Sequence, residues 1–312
     1  TSESQGTKQH VSTLSLTTLF RVYQTTDDKH HFETSWILPP VILASLRGLI
    51  SLYIFTSIFI FWGWYGTHDN LSSIGRSFSY FTWLSYWGIG FYMLFAAIHT
   101  ACYARTGRSA LFDRWPRAFR VLHSLLYVTV TTYPFLVKAV FWAVIFTPPW
   151  PTKTFNGWQN VSQHGLNSVY VLLEIILPAT APHPFIAIPF LLFILLLYHC
   201  IAYITHETEG WYRYSFLDAG SHGQKSKLVV AYCFGILAAV LVFFVISCAL
   251  VQLRCRLTHG RNMRARRDPL RAHDAFIGFV GRDEQSNEMK TVSGLEAAMG
   301  RFSSSGGNCL VR

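Results

Sequence analysis

Residues 158–178, running from Trp158 to Pro178, read WQNVSQHGLNSVYVLLEIILP. The stretch has the length of a helix, but polar residues interrupt it at a regular pitch. Asn160, His164, Asn167 and Glu174 follow one another at intervals of four, three and seven residues, which sets them on one stripe of a helix. Five other stretches are more evenly apolar: about 37–64, 78–102, 119–147, 185–205 and 228–254. Each approaches or exceeds the roughly 20 residues needed to cross a bilayer as a helix. Whether 161–178 is a sixth crossing decides the topology.

Charge placement answers that question. Arg105, Arg108, Arg114 and Arg117 lie between the second and third stretches, and Arg120 follows closely. Arg254, Arg256, Arg261, Arg264, Arg266, Arg267 and Arg271 follow the last. Both basic runs belong on the cytoplasmic side, so an even number of crossings must separate them. That parity requires 161–178 to cross. Arg213, Lys225 and Lys227 weaken the pattern without reversing it. The expected fold is an all-α integral membrane bundle of six transmembrane helices with both termini cytoplasmic. Its parts are a polar segment over 1–36, a membrane domain over 37–254 and a basic, largely disordered tail over 255–312, Ser/Gly-rich at Ser303–Gly307. Arg47, inside the first stretch, is expected to snorkel to the headgroups.

Composition agrees. Of 312 residues 51% are hydrophobic and only 13% charged, about half the charged share of a soluble domain. The net charge of +10 does not indicate nucleic acid, because the arginines sit where topology and anionic lipid want them. The six cysteines show neither paired nor metal-ligand spacing, so neither a disulfide framework nor a metal or other cofactor is expected. Cys255 stands at a helix end suited to palmitoylation, whereas the final Arg312 is wrong for a prenylation box at Cys309. Residues 1–36 lack the apolar core of a signal peptide. Sequons occur at Asn70 and Asn160, the second at the membrane surface.

Polar side chains within membrane helices face a bundle interior or a cavity. Besides the Asn160–Glu174 stripe, the second stretch opens with Thr82 and Ser85, and the fifth carries His199, Tyr203 and His206. The topology brings Thr82, His164 and His206 to similar depth on the non-cytoplasmic side. A threonine hydroxyl becomes a nucleophile when a neutral imidazole takes its proton. Free N–H groups at a helix start can stabilise an oxyanion. The expected chemistry is acyl transfer or ester hydrolysis with Thr82 as nucleophile and His164 as base. Asn160, Asn167, Ser85 and His206 are candidates to line or support the pocket. Glu174, about 15 Å down the axis from His164, is expected to be a buried structural partner or a pocket wall.

Three other readings stand beside this one. The polar groups could only bind helices together in a scaffold. A transporter is a further alternative, although the chain lacks an inverted repeat. A haem-binding electron carrier could use His99 with His123, and His164 with His199 or His206.

Trp158-x-Asn160-x3-His164, Glu174 and His206-x3-Gly210-Trp211-x2-Tyr214-x-Phe216-Leu217-Asp218, with Ser79-Tyr80-Phe81-Thr82, resemble the androgen-induced gene family. That family includes the androgen-dependent TFPI-regulating protein and fungal members. The resemblance covers the second to sixth stretches. It implies about six membrane helices and hydrolysis of fatty acid esters of hydroxy fatty acids by an intramembrane threonine and histidine, here Thr82 and His164. It also implies membrane lipids and a long-chain fatty acid ester as partners, in an endomembrane such as the endoplasmic reticulum or else the plasma membrane. Two positions depart from the family pattern: Val161 stands where another histidine is usual, and His206-Glu207 where a His-His pair is usual.

Overall fold

The computed structural model describes residues 30–68, 71–220 and 223–267. The Asn70 sequon, the tail beyond Arg267 and residues 1–29 of the polar opening lie outside the described residues. Within them the chain is helical, and the single extended pairing is an isolated bridge between Ser35 and Pro178.

The apolar stretches become α1 (Pro40–His68), α2 (Phe81–Thr106) and α3 (Arg117–Val140), the last prolonged by a π-helical turn at Phe141–Ile145. The polar stretch becomes α4 (Thr154–Asn160), a π-helical segment at Val161–Leu166, and α5 (Asn167–Ile176). Then come α6 (Ile188–Glu209) and α7 (Ser226–Arg267). Helix α6 stops at Gly210, whose φ of 78° suits the left-handed position that closes a helix. Its N–H reaches back to the His206 carbonyl. Helix α7 continues past residue 254, so the first part of the basic tail is helical.

Five of these helices are long and apolar enough to cross a membrane. Their outward faces carry large apolar side chains such as Leu52, Phe59, Phe193, Leu197, Phe234 and Val245, all exposed. Apolar surface of that extent needs a lipid partner, and the chain is an integral membrane protein. The run Thr154–Ile176 falls outside the five because it is split into pieces of 7, 6 and 10 residues.

Two packing groups share the bundle. One joins α1, α2, the middle of α3 and α5, around Ile54, Ile58, Phe61, Tyr86, Tyr92 and Ile175. The other joins α3, α6 and α7, around Tyr133, Leu136, Leu191, Val240 and Phe244. Helices α1 and α2 approach closely at Gly90. The Ser51 hydroxyl donates to the Gly90 carbonyl over 3.0 Å, and a Cβ there would lie 2.9 Å from Ile54 Cγ2. Small residues permit such backbone approach where lipid cannot drive helices together.

Arg47 does not snorkel. It is buried and forms a bidentate pair with Glu174, Nη2–Oε1 at 2.5 Å and Nε–Oε2 at 3.0 Å. Its Nη1 donates to the Phe32 carbonyl and to Thr100 Oγ1, each at 2.7 Å, and the Tyr92 hydroxyl donates to Glu174 Oε1 at 2.7 Å. The expectation failed because an opposite charge on another helix satisfies the guanidinium better than a long detour to the headgroups. Glu174 is thus the structural partner expected of it. Arg254 is likewise turned inward, donating to the Thr180 carbonyl. Residues 30–36 also pack into the fold: Trp36 Nε1 donates to the Ile176 carbonyl and Ser35 Oγ to that of Leu177.

Candidate active site between the helices

Helix α2 begins without a side-chain cap from its own N-cap residue, Tyr80. The first amides of a helix have no partner within it. A residue distant in sequence lies beside it: Tyr214 interacts with the backbone of Phe81 and Thr82, with the Thr82 side chain and with Tyr198, whose ring centroid is 6.4 Å from its own. Tyr198 Oη in turn donates to the Ser79 carbonyl over 3.1 Å. Burial raises the Tyr214 pKa, while the neighbouring Thr82 and Tyr198 hydroxyls oppose the rise. Hydroxyls and amides therefore converge on one point at the start of α2.

Thr82 is buried at that point and forms part of the wall of a cavity of about 220 Å³. The cavity lies among α2, α3, α6 and α7 and is walled chiefly by Leu, Val, Ile and Phe side chains. Polar groups reach it at Thr82, Tyr198, His199 and Tyr214. An apolar groove of about 370 Å³ between α3 and α7 shares Leu136, Val140 and Ile236 with it. On another side a vestibule of about 690 Å³ contains His206, Arg213 and Asp218. Vestibule and cavity share Ile145, Tyr214 and Phe216 as a common wall.

The loop after α6 is fastened over this region. The Arg213 guanidinium lies 3.6 Å from the Trp211 ring centroid and 4.9 Å from that of Tyr80. Glu209 bridges Arg76 at 3.2 Å and Arg213 at 3.4 Å. Burial lowers the Arg213 pKa, and Tyr80 and Glu209 act the other way.

The other expected site residues are distributed around this centre. His164 is buried in the π-helical segment and lies flat against Phe141, with ring centroids 3.6 Å apart. Its Nδ1 has no hydrogen-bond partner, and the segment packs against α2. Among the described residues no hydrogen bond joins Thr82 to His164, and His164 is not part of the cavity wall. Ser85 is half-buried one turn beyond Thr82 and also stands outside the wall. His206 stacks on Tyr212 at 3.9 Å and faces the vestibule. Asn160 is half-buried at the end of α4. Asn167 is fully buried, its Nδ2 donating to the Gln163 carbonyl at 2.6 Å while Oδ1 is unpartnered.

The π-helical segment alters the expected stripe. An added residue per turn widens the polar face, so Ser162, Gln163, His164, Asn167 and Ser168 are all buried together. Sequence reasoning missed Tyr198 and Tyr214 as site residues. Tyr214 stood inside the quoted loop motif, but nothing in its spacing reveals that the loop folds back onto α2.

The histidines considered for haem lie on several elements of the bundle. His99 and His123 have ring centroids 5.4 Å apart and both contact Phe112, with Trp115 edge-on to His99. Aromatic side chains surround them. His199 and His206 face different cavities, and His164 faces neither.

The chain matches no protein-family model, no curated protein and no solved structure.

Proposed function

We propose that this chain is a multi-pass membrane hydrolase of lipid esters, with Thr82 as nucleophile and His164 as its base. The observation that carries the reading is Thr82 itself: a hydroxyl at a helix start, set in the wall of an apolar cavity. Such a cavity accepts an acyl chain by the same apolar transfer that buries side chains. The groove between α3 and α7 offers a route from the bilayer.

In the reaction Thr82 Oγ attacks the ester carbonyl carbon, and its proton passes to the imidazole. The tetrahedral intermediate collapses, the acyl–threonine ester remains, and the departing alkoxide takes the proton back as an alcohol. Water then cleaves the acyl–threonine to a fatty acid. The Thr82–His164 hydrogen bond has to form when substrate enters, as catalytic contacts in empty sites commonly do. His164 Nδ1 has no competing partner to give up.

The same reading takes Thr154–Ile176 as a sixth crossing, with both termini cytoplasmic and the protein in an endomembrane. Three contacts support it: Trp36 with Ile176, Tyr53 with Ser162 at 2.8 Å, and Gln159 with Tyr65 at 2.5 Å. They run in antiparallel order along the length of α1.

Purified protein assayed on a long-chain ester tests the function. Thr82→Ala and His164→Ala should each abolish turnover, and a fluorophosphonate probe should label wild type but not Thr82→Ala. His199→Ala asks whether the imidazole that does line this cavity serves instead. A second reading, a lipid-binding scaffold, is favoured by the missing Thr82–His164 hydrogen bond. It predicts bound lipid in all variants and turnover in none, wild type included.

A further inference from the structure

Resting on the hydrolase reading above, we propose that Tyr214 is a catalytic residue, its hydroxyl donating a hydrogen bond to the carbonyl oxygen as that oxygen becomes negative. Three observations place it there. Its side chain is part of the wall between the apolar cavity and the polar vestibule, so it stands where an acyl chain meets water. It shares that cavity's wall with Thr82, the proposed nucleophile, and interacts with the Thr82 side chain. It also interacts with the backbone at Phe81 and Thr82, where a helix start presents unpaired N–H groups.

A phenol has one proton and accepts through its oxygen. The backbone amides of α2 can only donate to it. Thr82 and Tyr198 both act on the phenol oxygen as donors do, opposing the rise in its pKa, which leaves the Tyr214 proton for an acceptor that arrives with substrate. When Thr82 Oγ bonds to the carbonyl carbon, its own proton passes to the imidazole. The carbonyl oxygen, gaining the electron pair of the broken π bond, becomes the strongest acceptor within reach. The Tyr214 O–H turns to it without leaving its own amide contacts. Tyr214 itself transfers no proton in this step, so the His164 relay is unaffected. Donors held in place before charge develops are effective because no reorganisation is needed.

The loop clamp explains how a residue from a connection can be held this firmly. Arg213, adjacent to Tyr214, is sandwiched near Trp211 and Tyr80 and bridged through Glu209 to Arg76. The clamp joins the end of α6 to the approach to α2, fixing the phenol over Thr82.

The test is Tyr214→Phe in the full chain reconstituted in lipid nanodiscs, assayed on a long-chain 4-nitrophenyl ester. Loss of one such donor commonly lowers kcat by roughly 10²–10³-fold. The expectation is a kcat loss in that range, a KM changed less than threefold, and slower fluorophosphonate labelling of Thr82. A kcat within threefold of wild type, with Thr82→Ala inactive, overturns the role of Tyr214 and leaves the hydrolase reading standing. Full turnover in Thr82→Ala overturns both. If Tyr214→Phe does not assemble, 3-fluorotyrosine at position 214 keeps the size and strengthens the donor. A changed kcat then supports the role, and an unchanged one overturns it.

Discussion

Replacing Glu174 by Ala leaves Arg47 as a buried cation without its counter-ion. Arg47 and Glu174 side chains are only 1% and 3% exposed, and the carboxylate accepts three hydrogen bonds, two from Arg47 and one from Tyr92. Charge-assisted bonds contribute about 1.5–3 kcal/mol each in favourable cases, but their sum overstates the loss. The Phe32 carbonyl and Thr100 still hold Nη1, and an unfolded chain in lipid finds other partners. Breaking a buried pair from one side typically costs about 3–5 kcal/mol, and the lower end applies here. That corresponds to a shift of roughly a hundredfold in the folding equilibrium, since each 1.4 kcal/mol is tenfold. Reversible unfolding of the purified protein in mixed micelles, followed by tryptophan fluorescence, measures it. The double replacement Arg47→Met with Glu174→Leu should recover most of the loss, because desolvation of both charges disappears with the pair. If the double variant is as unstable as Glu174→Ala alone, the damage comes from lost packing and the ion-pair argument fails.

Gly90→Val should destabilise by about 1–3 kcal/mol through overpacking against Ile54. Gly88→Ala, where no atom lies within 4 Å of the added Cβ, should be neutral in the same unfolding assay. Tyr53→Phe removes the partner of Ser162 Oγ and of Trp158 Nε1. It should cost about 1 kcal/mol, and amide exchange in the π-helical segment should quicken.

The helices were legible because apolar length is a one-dimensional property. The expected stretches are recovered within a few residues except at the end of the last, whose helix runs on to Arg267, and even the polar run 161–178 is helical, starting earlier at Thr154. The π-helical turns were not legible, since a wider turn leaves no mark in residue type alone. His164 could be read as buried from the polar stripe, but not as lying against Phe141, because that contact joins residues 23 positions apart on different elements. Tyr214 was hidden for the same reason: its partners at the start of α2 are set by the path of the loop after Gly210.

The two faults that hydropathy finds in this chain, a charge inside the first stretch and a charge inside the weakest one, account for each other. Arg47 sits two turns into α1 and Glu174 near the end of α5. A guanidinium in lipid demands an anion at its own depth, so the pair fixes the register of the two segments. From there, residue 36 meets residue 176 on one side and residue 65 meets residue 159 on the other. Between those contacts the fourth segment advances 17 residues, about 26 Å at helical rise. If α1 crosses the bilayer, these contacts favour the proposed crossing of the run Thr154–Ile176 beside it, in the opposite sense. Removing the pair should therefore loosen the fourth segment first. Cysteines introduced singly at exposed Val169 and Leu172 should stay shielded from a water-soluble maleimide in wild type. Ready labelling of both in the native protein would place that run outside the membrane and refute the six-crossing topology.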